Sequence, residues 1–363
     1  MSNLRIPGPT PCPPEVLQAM SWQMINHRGP QFAGYLNEVT EGLKTIFQTR
    51  NDIFLLSSSG TGGLESAIVN TLSPGDKVLG VSIGVFGDRL ASIAKTYGAE
   101  VIPLKFEWGK AADASAVAGA LKANPGIKAV LVTHNETSTG VTNDLASIAK
   151  VVKSAGKLLL VDAVSSMGSI NLPVDEWGVD VCVTGSQKGW MVPPGLAMVS
   201  VSPEAWKACE EAKMPRFYFD FLKAKKYAEK GQTPWTPCVS VVFGMTVAIK
   251  MMLEEGLPNI IKRHERIANM TRHNAIKLGL ELFADEKYAS NTVTSVHANK
   301  GLDGKLLNKI MREEYDVILG GGQQVLEGKI FRIGHLGWVD EKDIDAVFAA
   351  LKEALPKAGF KGA

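Results

Sequence analysis

The sequence predicts an α/β protein: a mostly parallel sheet covered by helices, followed by a small C-terminal α+β region. Three observations predict it. Apolar strand-like segments alternate with helix-patterned ones from residue 52 to residue 162. Those strands are apolar at consecutive positions, so both of their faces are covered, as in a parallel sheet. Past Pro203 the alternation gives way to long helices and isolated strands. A length of 363 residues, 45% hydrophobic, allows about two domains. The expected division is an N-terminal arm over 1–14, a large domain over 15–255 and a small domain over 256–363.

The arm, Pro7-Gly8-Pro9-Thr10-Pro11-Cys12-Pro13-Pro14, cannot be helix or inner strand, because proline lacks the N–H. The spacing of Val16, Leu17, Met20 and Met24 predicts a helix over 15–24, and residues 26–30 read as a polar loop. Val39, Leu43, Ile46 and Phe47 predict a helix over 38–47. Strands follow at 52–56, 77–81, 101–104, 129–133, 157–161, 179–183 and 196–201. Helices fall at 90–97, 111–123 and 145–154, with another opening after the Ser/Gly/Thr turn at 57–63. Gly84 to Arg89 reads as a connection. The C-terminal part predicts helices at 204–212, 239–254, 257–278, 304–314 and 341–355, and strands at 292–296, 317–322 and 329–334.

The charge balance, 39 basic against 37 acidic residues, shows no basic tract, so no nucleic-acid partner is expected. No apolar run reaches the ~18 residues that span a bilayer, and the N-terminus has no apolar signal core. A cytoplasmic protein is expected. Cys12, Cys182, Cys209 and Cys238 are scattered without metal-ligand spacing, as free thiols in a reducing compartment would be.

In parallel sheets the ligand lies beyond the carboxyl ends of the strands. The polar runs 57–63, 134–140 and 162–166 all sit there, and Lys188 follows a strand in the same way. A strand, a Ser/Gly/Thr turn and a helix start make a phosphate cradle of free N–H groups, yet the turn matches neither GxGxxG nor GxxxxGK[ST]. A desolvated lysine has a lowered pKa, and a neutral amine is what a Schiff-base nucleophile needs. A buried carboxylate such as Asp162 needs a cationic partner. Pyridoxal 5′-phosphate (PLP) accounts for all of these at once. Its aldehyde takes Lys188, its protonated ring nitrogen takes Asp162, its phosphate takes the turn at 59–63, and its ring stacks on Phe86.

At this point the sequence resembles the class V aminotransferases of PLP fold type I, and within them the alanine–glyoxylate and serine–glyoxylate aminotransferases. The stretches that carry the resemblance are Ser59-Gly60-Thr61-Gly62, His134-Asn135-Glu136-Thr137-Ser138-Thr139-Gly140, Val161-Asp162-Ala163-Val164-Ser165-Ser166, Asp175-Glu176-Trp177-Gly178-Val179-Asp180 and Gly185-Ser186-Gln187-Lys188. The resemblance implies that Lys188 is the Schiff-base lysine and Asp162 the partner of the ring nitrogen. Ser59, Gly60 and Thr61 would hold the phosphate with Gln187, Phe86 would stack on the ring, and Thr137 would approach its hydroxyl. Arg332 would bind the substrate carboxylate, and Gly8 would also contact the substrate. It further implies a homodimer, with Thr236 reaching the neighbour's phosphate. Phe86 stands where many relatives carry tryptophan. Gln232 or Thr233 stands where some carry a tyrosine, and His27-Arg28 resembles a substrate-side loop.

The expected reaction moves an amino group from a small amino acid, alanine or serine, to a 2-oxo acid, glyoxylate. Other class V chemistries are the alternatives: serine–pyruvate transamination, or cysteine desulfuration with Cys238 as the nearest thiol. A third is a non-catalytic subunit, for which a buried amine has no use. Two further expectations follow from the residues. Arg332 needs an anion, either the substrate or an acid such as Asp340. Residues 232–237 need a partner to be ordered.

Overall fold

The computed structural model describes residues 2–362. In the first half of the chain the elements are β1 (Asn3–Arg5), α1 (Pro14–Ala19), α2 (Pro30–Phe47), β2 (Asp52–Ser58), α3 (Gly60–Thr71), β3 (Lys77–Ser82), α4 (Val85–Thr96), β4 (Glu100–Lys105), α5 (Ala114–Ala123), β5 (Ile127–Thr133), β6 (Asn135–Glu136), β7 (Val141–Thr142), α6 (Leu145–Ser154) and β8 (Leu158–Asp162). Then come β9 (Val181–Gly185), β10 (Gly195–Val201), α7 (Pro203–Glu211), α8 (Phe221–Ala228), α9 (Val239–Glu255), α10 (Leu257–Lys277), β11 (Val293–His297), α11 (Gly304–Tyr315), β12 (Val317–Gly321), β13 (Ile330–Gly334) and α12 (Glu341–Lys357).

The larger sheet has seven strands in the order β2-β10-β9-β8-β5-β3-β4. Every neighbour pair is parallel except those of β10, which runs antiparallel to both β2 and β9. Side chains alternate between its faces. Leu79, Val81, Val130 and Val132 enter the core under α2, α5, α6 and α9. Val78, Ala129 and Leu131 enter the opposite core with Leu64, Leu90 and Phe221 from α3, α4 and α8. Both faces are therefore dry, which is why these strands read as continuous apolar runs. The smaller sheet, β1-β12-β13-β11, packs on α10, α11 and α12 around Phe331, Ile333 and Leu351. Asn3–Arg5 contributes its edge strand, parallel to β12.

Three sequence expectations are corrected, and one helix is added to those expected. The first helix stops at Ala19, and Met24, expected on its inner face, is 55% exposed. The next begins at Pro30, eight residues before the apolar pattern; proline at the first position is pre-organised for a helix start. The segment 84–89 is mostly helical, because α4 starts at Val85. Residues 221–228 form α8, whose start is capped by the Asp220 carboxylate accepting from Lys223 N–H at 3.1 Å.

Candidate active site

Lys188 sits on the loop between β9 and β10. Two residues on, Trp190 is fully buried, stacks on Phe47 at 5.8 Å and donates its indole N–H to Thr184 Oγ1 at 3.0 Å. A buried tryptophan anchor of this kind is worth about 3–5 kcal/mol, so the loop is fixed. Thr10 ties it to the N-terminal segment, its N–H donating to Gln187 O at 3.1 Å and its hydroxyl to Lys188 O at 3.0 Å. Lys188 Nζ donates to the Pro7 carbonyl. Gly8 lies against the same amine. A Cβ there would stand 2.5 Å from Nζ, and φ is +133°, so only glycine fits.

Asp162 ends β8 and is 4% exposed. Its carboxylate accepts the Val164 N–H at 3.0 Å. Burial pushes its pKa up to about 6; Glu136 adds to the rise, and the Val164 N–H, Lys188 and Arg89 oppose it. Burial likewise brings Lys188 down to about 8, helped by Arg332 and Arg89 and opposed by Asp162. The amine is thus poised to be neutral in mildly alkaline conditions.

α3 presents its N-terminus to the same space. Ser59 is its extended N-cap, yet the Ser59 side chain caps nothing. Its hydroxyl and the first N–H groups of the helix are left for an anion. Gly60 is packed so closely that a Cβ would come within 2.7 Å of Val164 Cγ2. The Gln187 side-chain oxygen is buried without a partner among the described residues. Phe86 lies on the first turn of α4, with the Arg89 guanidinium 4.7 Å from its ring centroid. Gly8, Ser59, Gly60, Thr61, Phe86, Asp162, Gln187 and Lys188 all line one cavity of about 240 Å³.

Arg332, on β13, is 7% exposed. Its Nε donates to Gly321 O at 2.8 Å and its Nη1 to Thr137 O at 2.8 Å and Gln323 Oε1 at 3.4 Å. Nη2 donates to none of the described residues, and no carboxylate pairs with it. The acid considered from sequence, Asp340, caps α12 instead, in a reciprocal pair with Asp343. Burial lowers the Arg332 pKa to about 10.

Three predicted residues lie outside the cavity wall, Arg332 among them. Thr137 is buried and meets the site through its carbonyl, on Arg332. Thr236 is exposed and lines a separate pocket with Ser57, Tyr218 and Trp235. Arg28 also lies elsewhere, donating to the carbonyls of Thr233 at 2.5 Å and Pro234 at 3.1 Å. The stretch 232–237 is thereby held within its own chain, contrary to the expectation that only a partner would order it. No cysteine lines the cavity, which removes the geometric basis for the Cys238 reading. Sequence reasoning missed Arg89 and Glu136. Glu136 carried one signal, a carboxylate in a polar run directly after a buried strand.

A family model for class V aminotransferases matches residues 3–347. The chain is 45% identical over 361 residues to the soluble hydrogenase 42 kDa subunit of Anabaena cylindrica, covering 99% of this chain and 94% of that one. It is 43% identical over 340 residues to the L-aspartate–glyoxylate aminotransferase of Paracoccus denitrificans, covering 92% and 85%. The crystal structure of an alanine–glyoxylate aminotransferase from Nostoc sp. superimposes with a TM-score of 0.94 at 31% identity, covering 98% of this chain and 95% of that one. The chain belongs to the class V aminotransferases. Among the described residues no helix is long and apolar enough to cross a membrane, and no His/Cys/Asp/Glu cluster could hold a metal.

Proposed function

We propose that the protein is a PLP-dependent aminotransferase that takes the amino group of alanine or serine and gives it to glyoxylate. The observation that carries this reading is the convergence of Lys188, Asp162, Phe86 and the α3 N-terminus on one small cavity. Ser59, Gly60 and Thr61 would hold the phosphate with the Gln187 amide, Phe86 would cover the ring, and Asp162 would face its nitrogen. When bound, PLP supplies an electron sink that makes the Cα–H of an amino acid acidic. Asp162 holds the proton at the ring nitrogen, since a buried carboxylate is stabilised by a cation facing it. Lys188, when neutral, would take the proton from Cα. Pro7 and Thr10 keep its loop from drifting. Arg332 orients the substrate carboxylate with the donors left free by Gly321 and Thr137. The name of the hydrogenase-subunit relative raises a non-catalytic alternative, but a subunit that only scaffolds gains nothing from a desolvated amine and guanidinium.

A panel of alanine, serine, aspartate and cysteine against glyoxylate and pyruvate tests the reading. Alanine or serine with glyoxylate is expected to be fastest. Preference for aspartate would correct the donor, sulfide release from cysteine would correct the chemistry, and no transamination with any pair would overturn the proposal. Arg332→Lys is expected to raise KM for both amino and oxo acid about tenfold, or ~1.4 kcal/mol, because an ammonium cannot reproduce the planar fork. Unchanged KM values beside a lowered Tm would make Arg332 a structural brace.

The same reading includes a homodimer. Phe217 is 70% exposed and stacks on Trp235 at 4.9 Å, with Trp22, Met24 and Tyr218 also exposed. Thr236 lies in this aromatic region and points to a neighbour's site by family resemblance. Light scattering should give twice the chain mass, and an active monomer would refute the assignment. A larger cavity of about 320 Å³ beside β2 is lined partly by surface charges already paired, Lys44 with Glu41 and Lys225 with Asp52. It carries none of the proposed chemistry.

A further inference from the structure

Glu136 is completely buried, yet no lysine or arginine pairs with it among the described residues. It stands on β6 of a two-stranded hairpin beyond the carboxyl end of β5. Its Oε2 accepts the backbone N–H groups of Phe86 and Gly87, both at 3.0 Å. Its Oε1 accepts the N–H of Ser138 at 3.1 Å and the Ser138 hydroxyl. Ser138 Oγ in turn accepts the N–H of Val85 at 3.0 Å. Val85, Phe86 and Gly87 are the first three residues of α4. Their N–H groups would otherwise be unsatisfied in a buried setting, and the residue before them, Gly84, forms no side-chain cap. The cap comes from a hairpin some fifty residues away in sequence. Gly84 makes room for it: a Cβ there would lie 2.5 Å from Ser138 Oγ and 2.6 Å from Glu136 Cγ. Burial raises the Glu136 pKa, and the donors from Ser138, Gly87 and Phe86 at the helix N-terminus oppose that rise in favour of the carboxylate.

The next residue of the hairpin is Thr137, whose carbonyl holds Arg332 at 2.8 Å. One short hairpin therefore fixes the aromatic plate of the cavity and also holds the Arg332 guanidinium through its backbone. We propose that Glu136 is a positioning residue for cofactor binding: its carboxylate locks the first turn of α4 and so sets Phe86 against the cavity. This rests on the PLP reading above. The carboxylate matters because all of its partners are donors. A glutamine would turn an NH₂ group toward either the Phe86 and Gly87 N–H pair or Ser138, leaving donors facing donors.

The test is a double-mutant cycle on PLP affinity, with amide hydrogen exchange as a second readout. Glu136→Gln is expected to raise the Kd for PLP about tenfold, as for a lost cap, and to speed exchange at the Phe86 and Gly87 amides. In a Phe86→Ala background the same change is expected to move Kd by less than about twofold, since the ring it positions is gone. An unchanged Kd, or an equal factor in both backgrounds, overturns the proposal. If Glu136→Gln does not fold, Ser138→Ala removes the Val85 acceptor and the hydroxyl donor to Glu136, and leaves the carboxylate on the Phe86 and Gly87 N–H groups. About a threefold rise is then expected, vanishing with Phe86→Ala, and no rise overturns the proposal. A parent protein that binds no PLP at all overturns the functional reading, which is a different result from a parent and variant that bind equally.

Discussion

Lys188→Ala is expected to lower kcat by at least about 10³-fold, within the range for loss of a group that transfers the proton. The physical reason is the absence of a substitute. In the proposed reading Asp162 is committed to the ring nitrogen, and Arg332 is a cation with no lone pair to offer. A small primary amine added to the medium should restore part of the rate, because the deletion leaves room where Nζ stood. The same variant tests the lowered pKa. An ordinary lysine titrates at 10.5, and burial brings Lys188 to about 8. Between those values the unfolded chain binds more protons than the folded one, so stability rises with pH across that window. Below pH 8 Lys188 costs the PLP-free protein at most about 3 kcal/mol. Lys188→Ala should therefore be the more stable protein at pH 7, and its advantage should shrink toward pH 10.5. Turnover within about threefold of the parent, ~0.7 kcal/mol in barrier, would remove Lys188 from the chemistry.

Asp162→Asn is expected to separate stability from activity. An amide cannot hold a proton on the ring nitrogen, so kcat should fall at least about 10²-fold, or ~2.7 kcal/mol. The folded-state pKa of about 6 lies above the ordinary 3.8. The sign is thus opposite to that of a salt-bridged aspartate: stability contributed below pH 3.8 is lost as pH rises to 6. At pH 7 the buried charge costs up to about 3 kcal/mol, and asparagine, which can still accept the Val164 N–H, avoids it. The PLP-free variant should melt higher than the parent while being nearly inactive. A lower Tm with preserved rate would mean that Asp162 serves the fold instead.

Much of this arrangement was legible because it depends on strand ends. Each buried strand announces itself by an apolar run, and the polar residues after it must lie on one edge of a parallel sheet. That places Ser59, Asp162 and Lys188 together without any knowledge of distances. Helix bodies with a clear apolar stripe, such as Leu145–Ser154, were legible to the residue. What escaped were features set by distant partners. The start of α4 is capped by Glu136 and Ser138 from another hairpin, so its own sequence, Gly84-Val85-Phe86-Gly87, carries no cap signal. The order of residues 232–237 depends on Arg28, some two hundred positions earlier. Asp340 looked like a partner for Arg332 because both are charged and near in sequence, yet a local capping box claims it. Met24 shows the converse failure: helical spacing continues past Ala19, but no surface is left for it to cover.

The central claim, that Lys188 forms the covalent link to PLP, is tested most directly by reductive trapping. Purified protein is saturated with PLP, reduced with borohydride, digested and mapped by mass spectrometry. The expected result is a single modified peptide with the pyridoxyl phosphate group on Lys188, and no label when a reactive amino donor is added before reduction. Labelling spread over surface lysines, or an unmodified Lys188 in a protein that remains colourless, would contradict it.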